Sequence, residues 1–349
     1  MISTNVYKVW LYFIINKLLI IMEYLIMMKA AITTKAGNPE VIEIREVPIP
    51  KIKEGWVLIK VKAFGLNRSE LFTRRGDSPG VQFPRIQGIE CVGIVEEDPS
   101  NTYKKGQQVA AIMGGMGRLF DGGYAEFTLA PMEIVFPFNS KLSWEILGAI
   151  PEMFQTVSGS LNQALEIAEG ETLLIRGGTS SIGMLSCQLA KAKGLTVIST
   201  TRNPNKKQAL IDNGADHVVI DEGSLNEQLR EIYPNGVNKV LDLIGTRTLK
   251  DSLKCIASKG MVCMTGILGN EWTMKDFTPM GDIPSLGRLT VYMGESKNLS
   301  KELLQDFIGD VEKGNIKLNI DRTFKLGEVA TAHQYMEDNR AKGKVIVKT

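Results

Sequence analysis

The stretch Glu171–Arg202, ETLLIRGGTSSIGMLSCQLAKAKGLTVISTTR, decides the fold. It opens on an apolar strand pattern (171–176) and passes through the turn GGTSSIG (Gly177–Gly183). It continues as a helical run (181–193) and returns to an apolar strand (195–200). Strand, glycine-rich turn, helix, strand is the layout of a dinucleotide-binding unit. Gly178, Ser180 and Gly183 stand at the three fingerprint positions, so the motif reads G-x-S-x-x-G. Gly183 permits close packing of helix on strand. Ser180, with Ser181 beside it, departs from the glycine expected where backbone approaches a pyrophosphate, yet a small hydroxyl can still donate to a phosphate oxygen. The first candidates for cofactor contact are therefore Gly178, Thr179, Ser180, Ser181, Ile182 and Gly183.

The end of the second strand sets the expected cofactor. Thr201 stands 18 residues after Gly183, where such units usually carry an acid. A carboxylate there binds the ribose 2′-hydroxyl and repels a 2′-phosphate. Arg202 and Lys206 do the reverse, because a guanidinium fork suits phosphate and a nearby ammonium adds attraction. The bland alternative is a solvated basic loop at a helix start. The position of the charges favours NADPH.

Downstream the alternation continues as strand 217–221, helix 224–232, strand 239–243, helix 247–257 and strand 260–265, with Leu289–Met293 as a sixth strand. Elements of these lengths call for a doubly wound parallel sheet with helices on both faces, an α/β fold. Upstream, from Met28 to about Ser140, the pattern is short strands broken by Pro48, Pro50 and Gly55, which predicts a β-rich, barrel-like domain. The tail reads as helix 301–313, strand 320–324, helix 327–338 and a closing strand from Lys344 that returns to the first domain.

The bulk numbers narrow the function. A chain of 349 residues carries two cores. A net charge of +2 gives no case for nucleic-acid binding. The four cysteines form no CxxC, which fits a reducing, cytoplasmic compartment. Residues 1–27 are unlike the rest. Val9–Met28 is nearly all apolar but broken by Asn16, Lys17 and Glu23, so insertion as a membrane helix is marginal. It has neither the basic start nor the A-x-A site of a signal peptide. It reads as an extension upstream of the fold, with a peripheral membrane anchor as the alternative.

The motifs together resemble a known family. The first domain carries Ala63-Phe-Gly-Leu-Asn67-Arg68-Ser-Glu70, Gly88-Ile89-Glu90-Cys91-Val92-Gly93, Gly106-Gln-Gln-Val and Gly122-Gly123-Tyr124-Ala125-Glu126. The second adds the GGTSSIG turn, Gly214-Ala215-Asp216, Leu241-Asp242-Leu243-Ile244-Gly245 and Gly260–Gly266, and the tail ends Gly343-Lys344-Val345. From Met28 to Thr349 the chain is similar to the medium-chain dehydrogenase/reductase superfamily, in its zinc-free quinone oxidoreductase branch. The resemblance implies a GroES-like barrel domain (28–150 and 296–349) and a Rossmann domain (151–295), with NADPH and substrate in the cleft between them. It places Thr156 near the nicotinamide, Gly266 and Ile267 at its amide, and Lys344 within reach of the cofactor. It also implies a homodimer through the strand near Leu289–Met293, whose uncovered edge invites pairing.

Zinc alcohol dehydrogenases of the superfamily carry a cysteine where this chain has Asn67 and a histidine where it has Ile89. Their four-cysteine lobe has no counterpart in the short, cysteine-free run Glu96–Gly106. The only histidines, His217 and His333, sit elsewhere and read as packing or surface residues. No metal is expected. Without a Lewis acid, the feasible chemistry is hydride transfer from NADPH to an already electrophilic acceptor, a quinone or an α,β-unsaturated carbonyl. Asn67 is the candidate donor near the acceptor oxygen or nicotinamide; a turn asparagine is the equal alternative. Met113–Met116 and Ile267–Phe277 are expected on the substrate side, with Trp272 and Phe277 flanking a flat acceptor. The competing functions are a narrow enoyl or alkenal reductase and a membrane-associated, cofactor-holding scaffold with little turnover.

Overall fold

The computed structural model describes residues 26–349. The apolar run before Ile26 lies outside the described residues. Met27 is already in register with Pro48 as the first residue of strand β1 (Met27–Thr33). Among the described residues no helix is long and apolar enough to cross a membrane.

The barrel domain is antiparallel in its first half. Strand β1 pairs with β2 (Ile42–Pro48) and β4 (Arg85–Ile86) in a three-stranded sheet. The larger sheet has seven strands. Five come early: β3 (Trp56–Gly65), β5 (Glu90–Glu97), β6 (Gln108–Ile112), β7 (Phe127–Pro131) and β8 (Val135–Pro137). Two come late: β15 (Ile320–Lys325) and β16 (Lys344–Lys348). Strand β16 runs antiparallel to β3, with Ile346 opposite Gly65, so the end of the chain closes the first domain as the tail pattern predicts. After Gly122-Gly123 the next strand, β7, starts only at Phe127. The residues before it are spent on a crossing at Gly88, where the Gly123 amide donates to the Gly88 carbonyl at 3.0 Å.

The second sheet has six parallel strands: β9 (Thr172–Arg176), β10 (Thr196–Thr201), β11 (His217–Ile220), β12 (Val237–Asp242), β13 (Ile256–Met264) and β14 (Arg288–Val291). Their spatial order is β11-β10-β9-β12-β13-β14, so the winding reverses between β9 and β12 and a crevice opens at their carboxyl ends. Alternation along each strand divides the core. Leu173, Ile175, Val197 and Leu241 pack on one face with Leu185 and Ala190. Leu174, Ile198, Val240 and Val262 pack on the other with Leu225, Leu229, Leu249 and Leu253. Burial on both faces explains why the strands read as continuous apolar runs. The chain is thus a GroES-like barrel domain joined to a Rossmann domain.

Candidate active site

The glycine-rich turn forms first. After β9 the chain reverses at Gly177 (φ +93°), and helix α3 (Ser181–Ala192) begins with Ser180 as its N-cap; shorter helices α1 (Arg68–Arg75) and α2 (Pro151–Ser158) precede it. The Ser180 hydroxyl accepts from the Gly183 amide at 3.1 Å and donates to the Gly177 carbonyl at 2.8 Å. Ser180 is therefore a cap that holds the turn, and its hydroxyl is already spent. A Cβ on Gly183 would stand 2.6 Å from the Gly177 carbonyl oxygen, and one on Gly178 would collide with the Ser199 hydroxyl. The turn can only be this tight with glycine at both positions. The amides of Thr179, Ser181 and Ile182 have no acceptor among the described residues. Three unused N–H groups at a helix N-terminus form a cradle for an anion.

The end of β10 lies beside it. Thr201 is buried and its hydroxyl accepts from the Asn203 amide at 3.1 Å, shaping the bend that follows. Arg202 is exposed, Lys206 is half-buried, and neither makes an ion pair among the described residues. Across the crevice, the Gly266 amide donates to Asp242 and the Ile267 amide finds no acceptor among the described residues. Sequence reading passed over Arg176, the last residue of β9. It is fully buried and bonds to Asp221 at 2.7 Å and to Asp251 at 2.8 Å. It ties the loop after β11 to the helix that follows β12 (Thr246–Lys254).

The barrel supplies the other half. Asn67 is the N-cap residue of α1. Its amide nitrogen donates to Glu90 Oε1 at 2.9 Å, and its carbonyl oxygen accepts from the Lys344 ammonium at 2.6 Å. Lys344 also meets Glu90 Oε1 at 2.8 Å and lies 3.6 Å from Glu152 Oε2. Glu90 Oε2 accepts the Glu152 backbone amide at 2.8 Å, and the Thr156 hydroxyl donates to Glu152 Oε1 at 3.0 Å. Asn67, Lys344 and Thr156 are thereby gathered around Glu90 and Glu152, neither of which the sequence reading had placed in the site. Lys344, expected to reach toward a cofactor, commits its ammonium to this cluster instead, because two buried carboxylates demand it. A Cβ at Gly65 would stand 2.5 Å from Glu90 Oε1, so glycine is what makes room for the pair.

The network extends inward. Glu70 accepts the amides of Asn67 at 2.7 Å and Ile89 at 2.8 Å. Beyond it Tyr124 bonds to His333 at 3.0 Å, and His333 lies 3.4 Å from Arg74. Burial, with the Arg74 charge, pushes His333 down to about 3. It is a neutral packing residue, and His217 lies on β11 with its ring edge-on to Tyr233. Burial pushes Glu70 up to about 7, against its two backbone donors. A carboxyl whose folded pKa is raised stabilises the fold below its unfolded pKa and loses that contribution as pH rises through about 7. Glu70→Gln is expected to flatten the fall in denaturant midpoint between pH 5 and 7, whereas an unchanged pH profile would show Glu70 to be ordinary. Burial likewise pushes the thiols up, to about 12 for Cys91 and Cys255 and about 11 for Cys187 and Cys263, so none is poised as a nucleophile.

The substrate-side expectations divide. Trp272 is 57% exposed and meets Phe72 of α1 edge-on at 5.2 Å, bridging the two domains. Phe277 packs partly buried on the Leu174–Leu249 core, and Met116 is fully buried in the barrel. A cavity of about 390 Å³ between Met28, Trp56, Phe120 and Leu129 involves none of the residues above.

Residues 53–140 match the alcohol dehydrogenase GroES-like domain, and residues 213–347 match the family described as zinc-binding dehydrogenase. The quinone oxidoreductase of Mus musculus is 29% identical over 339 residues, covering 92% of this chain and 98% of the relative. That of Pseudomonas aeruginosa is 27% identical, covering 89% and 96%. The chain belongs to the medium-chain dehydrogenase/reductase superfamily, in its quinone oxidoreductase branch. The structure of the quinone oxidoreductase from Coxiella burnetii superposes with a TM-score of 0.79 at 26% identity, covering 93% of this chain and all of that one. This medium-chain member is accordingly an oxidoreductase acting on a small molecule, with a Rossmann domain for a nicotinamide cofactor. The three unused amides of the turn fit the pyrophosphate of such a cofactor. The zinc in the matched family's description meets no matching donor set at this site among the described residues. Among the described residues no three His, Cys, Asp or Glu side chains gather to hold a metal ion. The position between Asn67 and Glu90 is taken by the chain's own cation, Lys344.

Proposed function

We propose that this protein is a zinc-independent, NADPH-dependent reductase of quinones or α,β-unsaturated carbonyls. The observation that carries the reading is the Lys344 ammonium seated between Asn67, Glu90 and Glu152. This donor set suits a lysine and supplies no Lewis acid, so the acceptor has to be electrophilic already. The bound cofactor supplies the hydride. The chain binds and orients it: Thr179, Ser181 and Ile182 through their amides at the pyrophosphate, Arg202 and Lys206 at the 2′-phosphate, Ile267 through its amide at the carboxamide, and Thr156 beside the ring. Asn67 has one amide proton engaged by Glu90 and a second to offer an acceptor oxygen. Lys344 locks its orientation by binding the amide oxygen, which rules out the flipped rotamer.

NADPH oxidation measured against a quinone panel and an enone panel tests the reading. Turnover with either panel that survives chelators is expected, and enones alone would narrow the enzyme to an enoyl or alkenal reductase. Tight NADPH binding without turnover would mark a scaffold, and stoichiometric zinc with activity abolished by chelators would overturn the proposal.

We also propose a homodimer through β14. This edge strand leaves Val291 53% exposed, and Met293 just beyond it is 79% exposed, an apolar edge that pairing would cover. Val291→Lys with Met293→Lys is expected to halve the mass seen by sedimentation. A wild-type protein that already sediments as a monomer would sink the idea.

A further inference from the structure

Three carboxyl groups and one ammonium share a buried pocket where the barrel meets α2. Glu70, Glu90 and Lys344 are fully buried, and the Glu152 side chain keeps 14% exposure. The other charged and titratable groups facing them are Tyr124 and, behind it, His333 and Arg74; Arg74 is spent on Glu337 at 2.6 Å. Three buried negative charges cannot be held against one positive charge, so a carboxyl in this cluster retains a proton.

The hydrogen bonds say which. Glu90 accepts from Asn67, from Lys344 and from the Glu152 amide, which suits an anion. Glu70 accepts two backbone amides. Glu152 has the weakest support as an anion, with a single hydroxyl donor at 3.0 Å and the ammonium at 3.6 Å. Burial and the Glu90 charge push its carboxyl up, although Lys344 opposes the shift. Glu152 is also the carboxyl connected in both directions. Its remaining exposure reaches solvent, and its bonded hydroxyl belongs to Thr156, the residue placed beside the nicotinamide in the function proposed above.

We propose that Glu152 stores the proton that completes reduction of the acceptor, and that the Thr156 hydroxyl delivers it. The inference rests on the reductase reading. The acceptor receives a hydride from the reduced cofactor and is left with a negative oxygen. The Thr156 O–H bond breaks as its proton moves to that oxygen, and the Glu152 O–H proton restores the threonine hydroxyl. Glu152 is left as a carboxylate beside Lys344 until solvent returns a proton. The acceptor gains two electrons and two hydrogens in all. Threonine can serve because its hydroxyl donates and accepts at once.

The test uses Glu152→Gln and Thr156→Val. Because burial also raises Glu70 to about 7, infrared spectra are taken in an E70Q background, where the cofactor-free protein is expected to show a protonated-carboxyl band that adding E152Q removes and adding T156V leaves in place. With a quinone acceptor, E152Q and T156V are each expected to lose about a hundredfold in kcat, within the ~10²–10⁴ that a placed proton donor contributes. The Kd for NADPH should stay within about twofold, because neither change removes an anion-binding amide. A spectrum that adding E152Q leaves unchanged, or wild-type kcat in both variants, would overturn the assignment. Wild-type protein inert toward every quinone and enone would sink the reductase reading alone, and the band would still decide whether Glu152 holds a proton.

Discussion

Replacing Arg202 with alanine is expected to weaken NADPH binding roughly 10- to 100-fold while leaving NADH within about twofold. A hydrogen bond to a charged group contributes about 1.5–3 kcal/mol, and each 1.4 kcal/mol is tenfold in Kd. Arg202 is exposed and makes no ion pair among the described residues, so the substitution strands no buried carboxylate. The strand end does not depend on it either: the bend after β10 is held by the Thr201 hydroxyl and the Asn203 amide. The variant therefore reads contact with the 2′-phosphate and little else. Exposure also means solvent screening, which puts the effect nearer tenfold at physiological salt and larger at low salt. Lys206 shares the charge, so Lys206→Ala should act in the same direction and more weakly. Fluorescence titration of both cofactors at two ionic strengths checks this. Equal loss of NADPH and NADH, or none, would show that Arg202 does not read the phosphate.

The parts of this molecule that were legible in its sequence are those governed by local pattern. Leu173-Leu174-Ile175 is buried on both faces, and such a run declares a parallel strand before any contact is known. Gly178 and Gly183 declare a tight turn because no other residue fits there. Thr201-Arg202, where β10 ends, lacks an acid, and the proposed NADPH preference is read from that absence. Helix α1 was not legible, because Arg68–Arg75 is short, strongly charged and stabilised by tertiary contacts such as Arg74 with Glu337. Ser180 looked like a phosphate contact but serves as a cap. The cap is a choice between two uses of one hydroxyl, and only geometry separates them.

The cluster around Lys344 was the least legible feature, since its members come from sequence positions as far apart as Asn67 and Lys344. In the sequence Glu90 stands only as part of the motif Gly88–Gly93. Glu152 lies between Ile150-Pro151 and Met153-Phe154, an apolar setting for an acid. A signal existed: the one charged residue of the helix Pro151–Ser158 needs a partner if it is buried, and the tail offers a lysine at the start of an apolar closing strand. Single-sequence reasoning could not pair them, because the meeting depends on β16 closing against β3 and on helix α2 packing beside that sheet.

Lys344→Met is expected to cost about 3–5 kcal/mol of folding stability, the usual penalty for removing one partner of a buried ion pair. The cost arises chiefly from Glu90, left fully buried with its charge uncompensated. Lys344→Met combined with Glu90→Gln should recover most of the loss, because the second change removes that orphaned charge. A surface pair would behave differently, with a single-variant cost of about 0–1 kcal/mol and no recovery. The pH dependence adds an independent check. Glu90 and Glu152 hold the Lys344 ammonium above the ordinary lysine value, against the effect of its burial. Its stabilisation is then complete below the unfolded lysine pKa of about 10.4 and fades as pH climbs past that into the folded value. Wild-type protein should lose stability there and Lys344→Met should not. Denaturant midpoints measured at neutral and alkaline pH decide the matter. If the single variant costs no more than a surface pair and the double variant gains nothing, the internal cation does not organise this site, and the orientation of Asn67 has another cause.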